Sequence, residues 1–161
     1  MTQVPFPIPP NKMCWIFLAA LDKEVDVFLS RDTDNDLIAR DRDAVIEWLY
    51  NTSYECHIMR DHVLHTIEML GGMWGYRGQP TGTLLEQFRK LIWTPATQEG
   101  SDQAALREHL FPHVSCLAHD SYLCGQYNDT EWRPFPSQRD GDARVGVPTG
   151  MYLSPLECPQ R

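Results

Sequence analysis

The residues that most constrain the fold are 25–43, VDVFLSRDTDNDLIARDRD, where an apolar run passes into alternating carboxylates. The apolar run predicts a strand that ends at the acidic loop. The next segment, RDRDAVIEWLYN, has apolar residues on one helical face and acids in its first turn, which favours a helix. Because strand and helix patterns also alternate further along the chain, we expect the α/β class.

The remaining elements follow from the same patterns. KMCWIFLAALDKE predicts a short, well-buried helix, ECHIMR a second strand, and TLLEQFRKLIW and DQAALREHLFPHV two further helices. The glycine-rich stretch GGMWGYRGQPTGTL predicts a loop or a turn of close approach. The segment after residue 126 is rich in Pro, Gly, Asp and Arg, which predicts an irregular C-terminal tail with one or two short strands.

Length, charge and cysteine content limit the classes of protein that fit. A chain of 161 residues suits one domain over residues 1–161, and a net charge of −8 argues against a nucleic-acid partner. No apolar run approaches the roughly 20 residues that cross a bilayer, so no transmembrane segment is expected. The five cysteines are scattered and form no C-x-x-C pair, which favours reduced thiols over a zinc ribbon or a disulfide scaffold. These features favour a cytoplasmic location, with the Golgi lumen as the alternative if the chain is a fragment of an anchored eukaryotic enzyme.

The acidic loop itself has two interpretations. A calcium-binding EF-hand requires glycine at position six and glutamate at position twelve, where this chain has Leu37 and Asp43. A strand that ends in Asp-x-Asp remains a candidate metal site, because ligands bind at the carboxyl ends of strands in α/β sheets. Two carboxylates there suit Mg²⁺ or Mn²⁺ with phosphate oxygens. The alternative is a solvated surface turn.

Several motifs within and after the acidic loop bear on its interpretation. SRDTDNDLIARDRDAVIEWL, HIMRDHVLH, LGGMWGYR and HDSYLC, within about residues 13–146, resemble a group of bacterial and animal glycosyltransferase-like proteins. Asn35-Asp36 departs from the Ser-Arg usual in that pattern, and Val63 stands in place of a proline. The resemblance implies a glycosyltransferase A-type fold with a Rossmann-like sheet flanked by helices. The sheet is expected to be partial, because full-length members carry roughly one further βαβ section ahead of this point.

The resemblance also implies a reaction and a set of site residues. The reaction is metal-dependent transfer of a sugar from a nucleotide-diphosphate donor to a carbohydrate or lipid-linked (glycolipid) acceptor, with Mn²⁺ or Mg²⁺ as cofactor. The metal ligands would be Asp32, Asp34 and His119, and Asp61 or Asp102 would assist proton transfer or orient the sugar. Donor-binding residues would be Arg31, Arg60, His62, Gly71, Gly72, Trp74 and Gln103. The alternative is a catalytically inactive carbohydrate-binding or scaffold remnant of the same fold.

Overall fold

The computed structural model describes residues 8–127, 130–147 and 158, which form an open five-stranded mixed sheet flanked by helices. The strands are β1 (Val27–Arg31), β2 (Cys56–Arg60), β3 (Met73–Arg77), β4 (Cys116–Asp120) and β5 (Thr130–Arg133). The helices are a 3₁₀ helix (Lys12–Leu21), α1 (Ala39–Asn51), α2 (Gly82–Trp93) and α3 (Ser101–Ala105), which continues as a π-helical turn (Leu106–Leu110) and a 3₁₀ turn (Phe111–His113). The predicted α/β class is confirmed.

The topology brings the ends of several strands to one edge. The sheet order is β1-β3-β2-β4-β5, with β3 antiparallel to both β1 and β2, and with β4 parallel to β2 and β5. Strands β1, β2 and β4 therefore run in the same direction, and their carboxyl ends share an edge with the amino end of β3. Asp32 follows β1, Asp61 follows β2 and Ser121 follows β4, while Gly72 precedes β3. Most of the site residues predicted from the sequence lie at or near this edge.

The glycine-rich stretch contains a strand, so its prediction as a loop is wrong for residues 73–77. Strand β3 lies between β1 and β2 and is buried along most of its length. A Cβ atom on Gly75 would lie 2.8 Å from Cδ2 of Leu29 and 2.9 Å from the carbonyl oxygen of Phe28. Here the glycine allows close packing within a strand rather than a turn. Strand β4, which the sequence patterns did not predict, lies on the other side of β2.

Gly75→Ala is expected to lower the free energy of unfolding by about 1–3 kcal/mol, because the new methyl group overpacks the space beside β1. Urea denaturation would measure the change. Leu29→Ala removes one of the two opposing atoms and, being a half-exposed position, should itself cost little. The double variant should therefore lose less stability than the sum of the two single variants. Strict additivity would contradict the steric explanation.

The side chains of the sheet form apolar clusters on its two faces. Trp74 is fully buried in the larger cluster, where its ring centroid lies 5.5 Å from that of Phe17 and 5.1 Å from that of Phe28. The smaller cluster lies on the α1 side and comprises Ala44, Met59, Met73, Phe135 and Val145. Because successive residues of a strand point to opposite faces, neighbours in sequence end in different clusters.

The 3₁₀ helix 12–21 is less buried than its composition predicts. Residues three apart align in a 3₁₀ helix, so Cys14, Phe17 and Ala20 form one ridge that packs into the core. Four large apolar side chains on the other ridges keep 38–46% of their surface exposed: Met13, Trp15, Ile16 and Leu18. The prediction of a helix is confirmed, and the prediction that it is well buried is wrong for these ridges.

Two disulfides overturn the expectation of reduced thiols. Cys56 bonds to Cys116 and Cys124 to Cys158, while Cys14 is a buried free thiol. Cys56 and Cys116 are register partners on the parallel strands β2 and β4, which the sequence spacing does not reveal. Disulfides persist mainly in oxidising compartments, so the cysteines no longer support a reducing one. Within the described ranges, no helix is long and apolar enough to span a membrane.

Candidate functional site

A cavity of about 250 Å³ lies where β1 ends. It joins the acidic loop to α3 and to one exposed ridge of the 3₁₀ helix. Its lining residues are Met13, Ile16, Arg31, Asp32, Thr33, Gly71 and Asp102. The fold thus brings together Asp32 and Asp102, which are far apart in sequence and which both carry a predicted role.

Two glycines form the backbone surface beneath these carboxylates. A Cβ atom on Gly72 would lie 2.2 Å from the carboxyl carbon of Asp32, and one on Gly71 would lie 2.7 Å from Oδ2 of Asp102. The hydroxyl of Ser30 donates a hydrogen bond to the carbonyl of Gly71, which holds this backbone against β1. Both positions require glycine because the carboxylates approach the main chain closely. The carboxylates of Asp32 and Asp102 thus occupy the space beside the two glycines, and the predicted donor-binding role of Gly71 and Gly72 stays a prediction.

The cavity is electrostatically negative. Burial raises the pKa of Asp32, the neighbouring charges of Asp34 and Asp102 raise it further, and Arg31 opposes the shift. Asp102 is only 8% exposed, and its Oδ1 atom has no hydrogen-bond partner among the described residues. A buried carboxylate oxygen without a donor is costly, so a cation or a hydroxyl donor supplied by a ligand would stabilise it.

The free thiol beside the cavity is not a candidate nucleophile. Burial, with the charge of Asp102 as a second cause, raises the pKa of Cys14 to about 11. The thiol therefore stays protonated at neutral pH, whereas the thiolate is the reactive form. The chemistry of the cavity rests on its carboxylates.

Arg31 lines the cavity, but its guanidinium is already engaged. Its Nε and Nη2 atoms donate to the two carboxylate oxygens of Asp41 at 2.9 and 3.0 Å. Its Nη1 donates to the carbonyls of Ser30 and Trp74 at 2.7 and 3.0 Å. These bonds join β1 to the first turn of α1. The structure thus gives the guanidinium of Arg31 an architectural role, and its donor-binding role stays a prediction.

His119 lies on the other face of the sheet from Asp32. Its Nδ1 atom is 2.7 Å from Nε2 of His57, and its Nε2 atom is 3.5 Å from Oε2 of Glu47 on α1. The ring of His57 in turn stacks on Trp48, also on α1. Alternation along β4 directs His119 toward α1, so the predicted set of Asp32, Asp34 and His119 is not assembled. In the described part of the chain, no group of three His, Cys, Asp or Glu side chains is arranged to hold a metal.

Asp61 is enclosed by basic and hydrogen-bonding groups. Its carboxylate accepts bonds from Arg40 at 3.1 Å, from Arg139 at 2.6 Å, and from the Ser121 hydroxyl at 2.6 Å. The backbone N–H of Val145 donates to the same carboxylate at 3.1 Å. Asp61 is fully buried, and both of its oxygens are occupied. This environment suits a residue that holds the chain together, and of the two predicted acids Asp102 alone lines the cavity.

The other predicted donor-binding residues lie outside the cavity. Arg60 forms a fully buried ion pair with Asp120 at 2.9 Å. His62 is 4% exposed, and its Nδ1 accepts a hydrogen bond from the backbone of Leu64. Trp74 belongs to the core, and Gln103 lines a separate cavity of about 210 Å³. Sequence reasoning missed Met13, Ile16 and Thr33, since the spacing of the first two is that of buried helical residues.

Comparisons of the chain with protein-family models, with curated proteins and with solved structures found no match. The function of the cavity must therefore follow from its residues and from the motif order in the sequence. The carboxylates of Asp32 and Asp102, set on the backbone of Gly71 and Gly72, are the features that require an explanation.

Proposed function

We propose that this protein is a metal-dependent glycosyltransferase of the A-type fold that moves a sugar from a nucleotide-diphosphate donor to a carbohydrate or lipid-linked acceptor. The observation that carries the proposal is the pair of carboxylates at one cavity, Asp32 and Asp102, of which Asp102 has a buried Oδ1 without a hydrogen-bond partner among the described residues. The motif order supports it, as does the position of Asp32 at the carboxyl end of a strand.

Two carboxylates of the acidic loop, Asp32 and Asp34, suit a divalent cation whose remaining ligands come from the substrate and water. Mg²⁺ and Mn²⁺ prefer oxygen ligands, and Mg²⁺ is commonly held by one or two carboxylates together with substrate phosphates and water. Asp32 would hold the ion, with Asp34 from the same loop. When bound, such an ion offsets the negative charge that develops on a departing diphosphate. A cation would also favour the ionised form of Asp32, whose pKa burial and two neighbouring acids raise.

Asp102 would act on the acceptor. Sugar transfer breaks the bond between the anomeric carbon and the diphosphate oxygen, forms a bond from that carbon to an acceptor hydroxyl, and releases the hydroxyl proton. A carboxylate within hydrogen-bond reach can accept this proton. Asp102 lines the cavity, and its buried Oδ1 has no hydrogen-bond partner among the described residues, whereas the oxygens of Asp61 are occupied. The cavity of about 250 Å³ is smaller than most small-molecule sites, so it suits the reacting end of a ligand.

Calorimetric titration with UDP and with GDP, each with and without Mn²⁺, tests the proposal. We expect binding of at least one nucleotide to depend on the metal, and Asp32→Asn to weaken it by more than about tenfold. Asp102→Asn should leave nucleotide affinity nearly unchanged and abolish transfer, since its role concerns the acceptor.

Two further variants serve as controls for the position and the charge of Asp32. Gly72→Ala retains every charge but places a methyl group where the Asp32 carboxylate stands, so it should weaken binding as Asp32→Asn does. Asp26→Asn removes an exposed acid just before the other end of β1 and should leave binding unchanged. The absence of metal-dependent heat for both nucleotides would contradict the proposal and favour the inactive remnant.

A further inference from the structure

One wall of the cavity is apolar. Met13 and Ile16 are three residues apart and therefore align on one ridge of the 3₁₀ helix. They are 46% and 41% exposed, next to the ridge of Cys14 and Phe17, which is fully buried. We call Met13 and Ile16 the apolar wall.

The apolar wall faces the same space as the carboxylates. Met13, Ile16, Asp32 and Asp102 line one cavity, so a ligand there meets oxygen acceptors on one side and methyl and thioether groups on the other. Small-molecule sites combine a few convergent polar groups with an apolar lining, which matches the two parts of an amphiphile. A purely hydrophilic sugar would leave the apolar wall in contact with water.

Self-association is a poorer explanation of the apolar wall. A twofold contact places the same patch of each subunit against the other. At this site, such a contact would bring Asp32 and Asp102 of one copy toward the same acids of its partner, in a chain whose net charge is −8.

We propose that the acceptor is an amphiphile, whose hydroxyl group binds at Asp102 while its alkyl chain packs on Met13 and Ile16. This inference rests on the proposed function, since it names the class of acceptor for that reaction. It assigns the choice of acceptor to the 3₁₀ helix, an element that contributes no acid to the cavity.

Two soluble probes with the same sugar test the inference: methyl β-glucoside and octyl β-glucoside, the latter below its critical micelle concentration. We expect the octyl compound to bind at least about tenfold more tightly in calorimetric or NMR titrations, because its chain is removed from water on binding. The double variant Met13→Ser with Ile16→Ser should remove this preference. Leu18→Ser changes an apolar residue of similar exposure, 38%, which does not line the cavity, and should retain it.

The other outcomes overturn the inference. Equal affinity for the two glucosides would do so. A double variant that loses as much affinity for the nucleotide as for octyl β-glucoside would also do so, since the apolar wall would then contact the donor. A change in the elution volume of the double variant without any change in alkyl binding would assign the wall to a second copy of the chain. Metal-dependent nucleotide binding without an alkyl preference would contradict only the proposal of an amphiphilic acceptor. Failure of both nucleotides to bind would contradict the proposed function as well as the amphiphilic acceptor.

Discussion

Asp61→Ala is expected to lower the free energy of unfolding by about 3–5 kcal/mol, because it leaves buried positive charge without its partner. Arg40 and Arg139 both donate to this carboxylate, and Arg40 is only 6% exposed. The loss also removes the acceptor of the Ser121 hydroxyl and of the Val145 N–H. Because domains are typically stable by only about 5–15 kcal/mol, a loss of this size removes a large share of the stability.

Urea denaturation and circular dichroism would measure this effect, and an exposed ion pair in the same protein gives the control. Asp43 pairs with Arg42 at 2.8 Å, but the two side chains are 31% and 68% exposed. Asp43→Ala should therefore leave the denaturation midpoint nearly unchanged. If Asp61→Ala kept the wild-type midpoint and lost only sugar transfer, Asp61 would have the proton-transfer role that the sequence suggested.

Acid is expected to destabilise the protein as the pH falls below about 6.5, through histidines that are buried in the neutral form. Burial, followed by the neighbouring His62, lowers the pKa of His65 to about 4. Burial, followed by His119, lowers the pKa of His57 well below 6.5. Since the unfolded chain binds these protons at a higher pH than the folded chain, stability is fully present above 6.5 and decreases below it. For His65 alone, the loss between pH 6.5 and about 4 amounts to about 3 kcal/mol.

Denaturation midpoints measured at several values between pH 7.5 and pH 4.5 would test this dependence. The Nδ1 atom of His65 accepts a hydrogen bond from the backbone of Asp61 at 3.1 Å. His65→Asn offers an amide oxygen to the same N–H without a titrating group, so its stability should decline less steeply with falling pH. His113→Asn, at an exposed position, should follow the wild-type curve. An unchanged slope in His65→Asn would contradict the assignment.

Local sequence patterns predicted those helices and strands whose own residues show the periodicity of the element. The alternation that ends at Arg31 defines β1, and the apolar face with an acidic first turn defines α1. The helix at 82–93 and the helical run that follows it were predicted from their periodicity. Strand β3 was not, because Gly75 serves a packing contact with β1 that exists only in the folded sheet. The bond between Cys56 and Cys116 likewise depends on strand register.

The same distinction between local patterns and contacts with distant segments applies to the residues of the candidate site. Asp32, Gly71 and Asp102 were selected from motifs, and the structure places them around one cavity, with Gly72 beside the Asp32 carboxylate. His119 was selected on the same grounds, but the alternation of β4 turns its ring toward α1. A motif gives the order of residues along the chain, whereas the face on which each side chain lies follows from pairing with distant strands.

Strand β1 lies at the border of the sheet, since its described strand partner is β3 alone. The cavity lies at the carboxyl end of this border strand, beside the backbone of Gly71 that leads into β3. A long molecule can present one end to Asp102 and extend outward past the sheet without threading through the core. Under the proposed function, such a site would discriminate between the termini of its substrates and would tolerate any length beyond them.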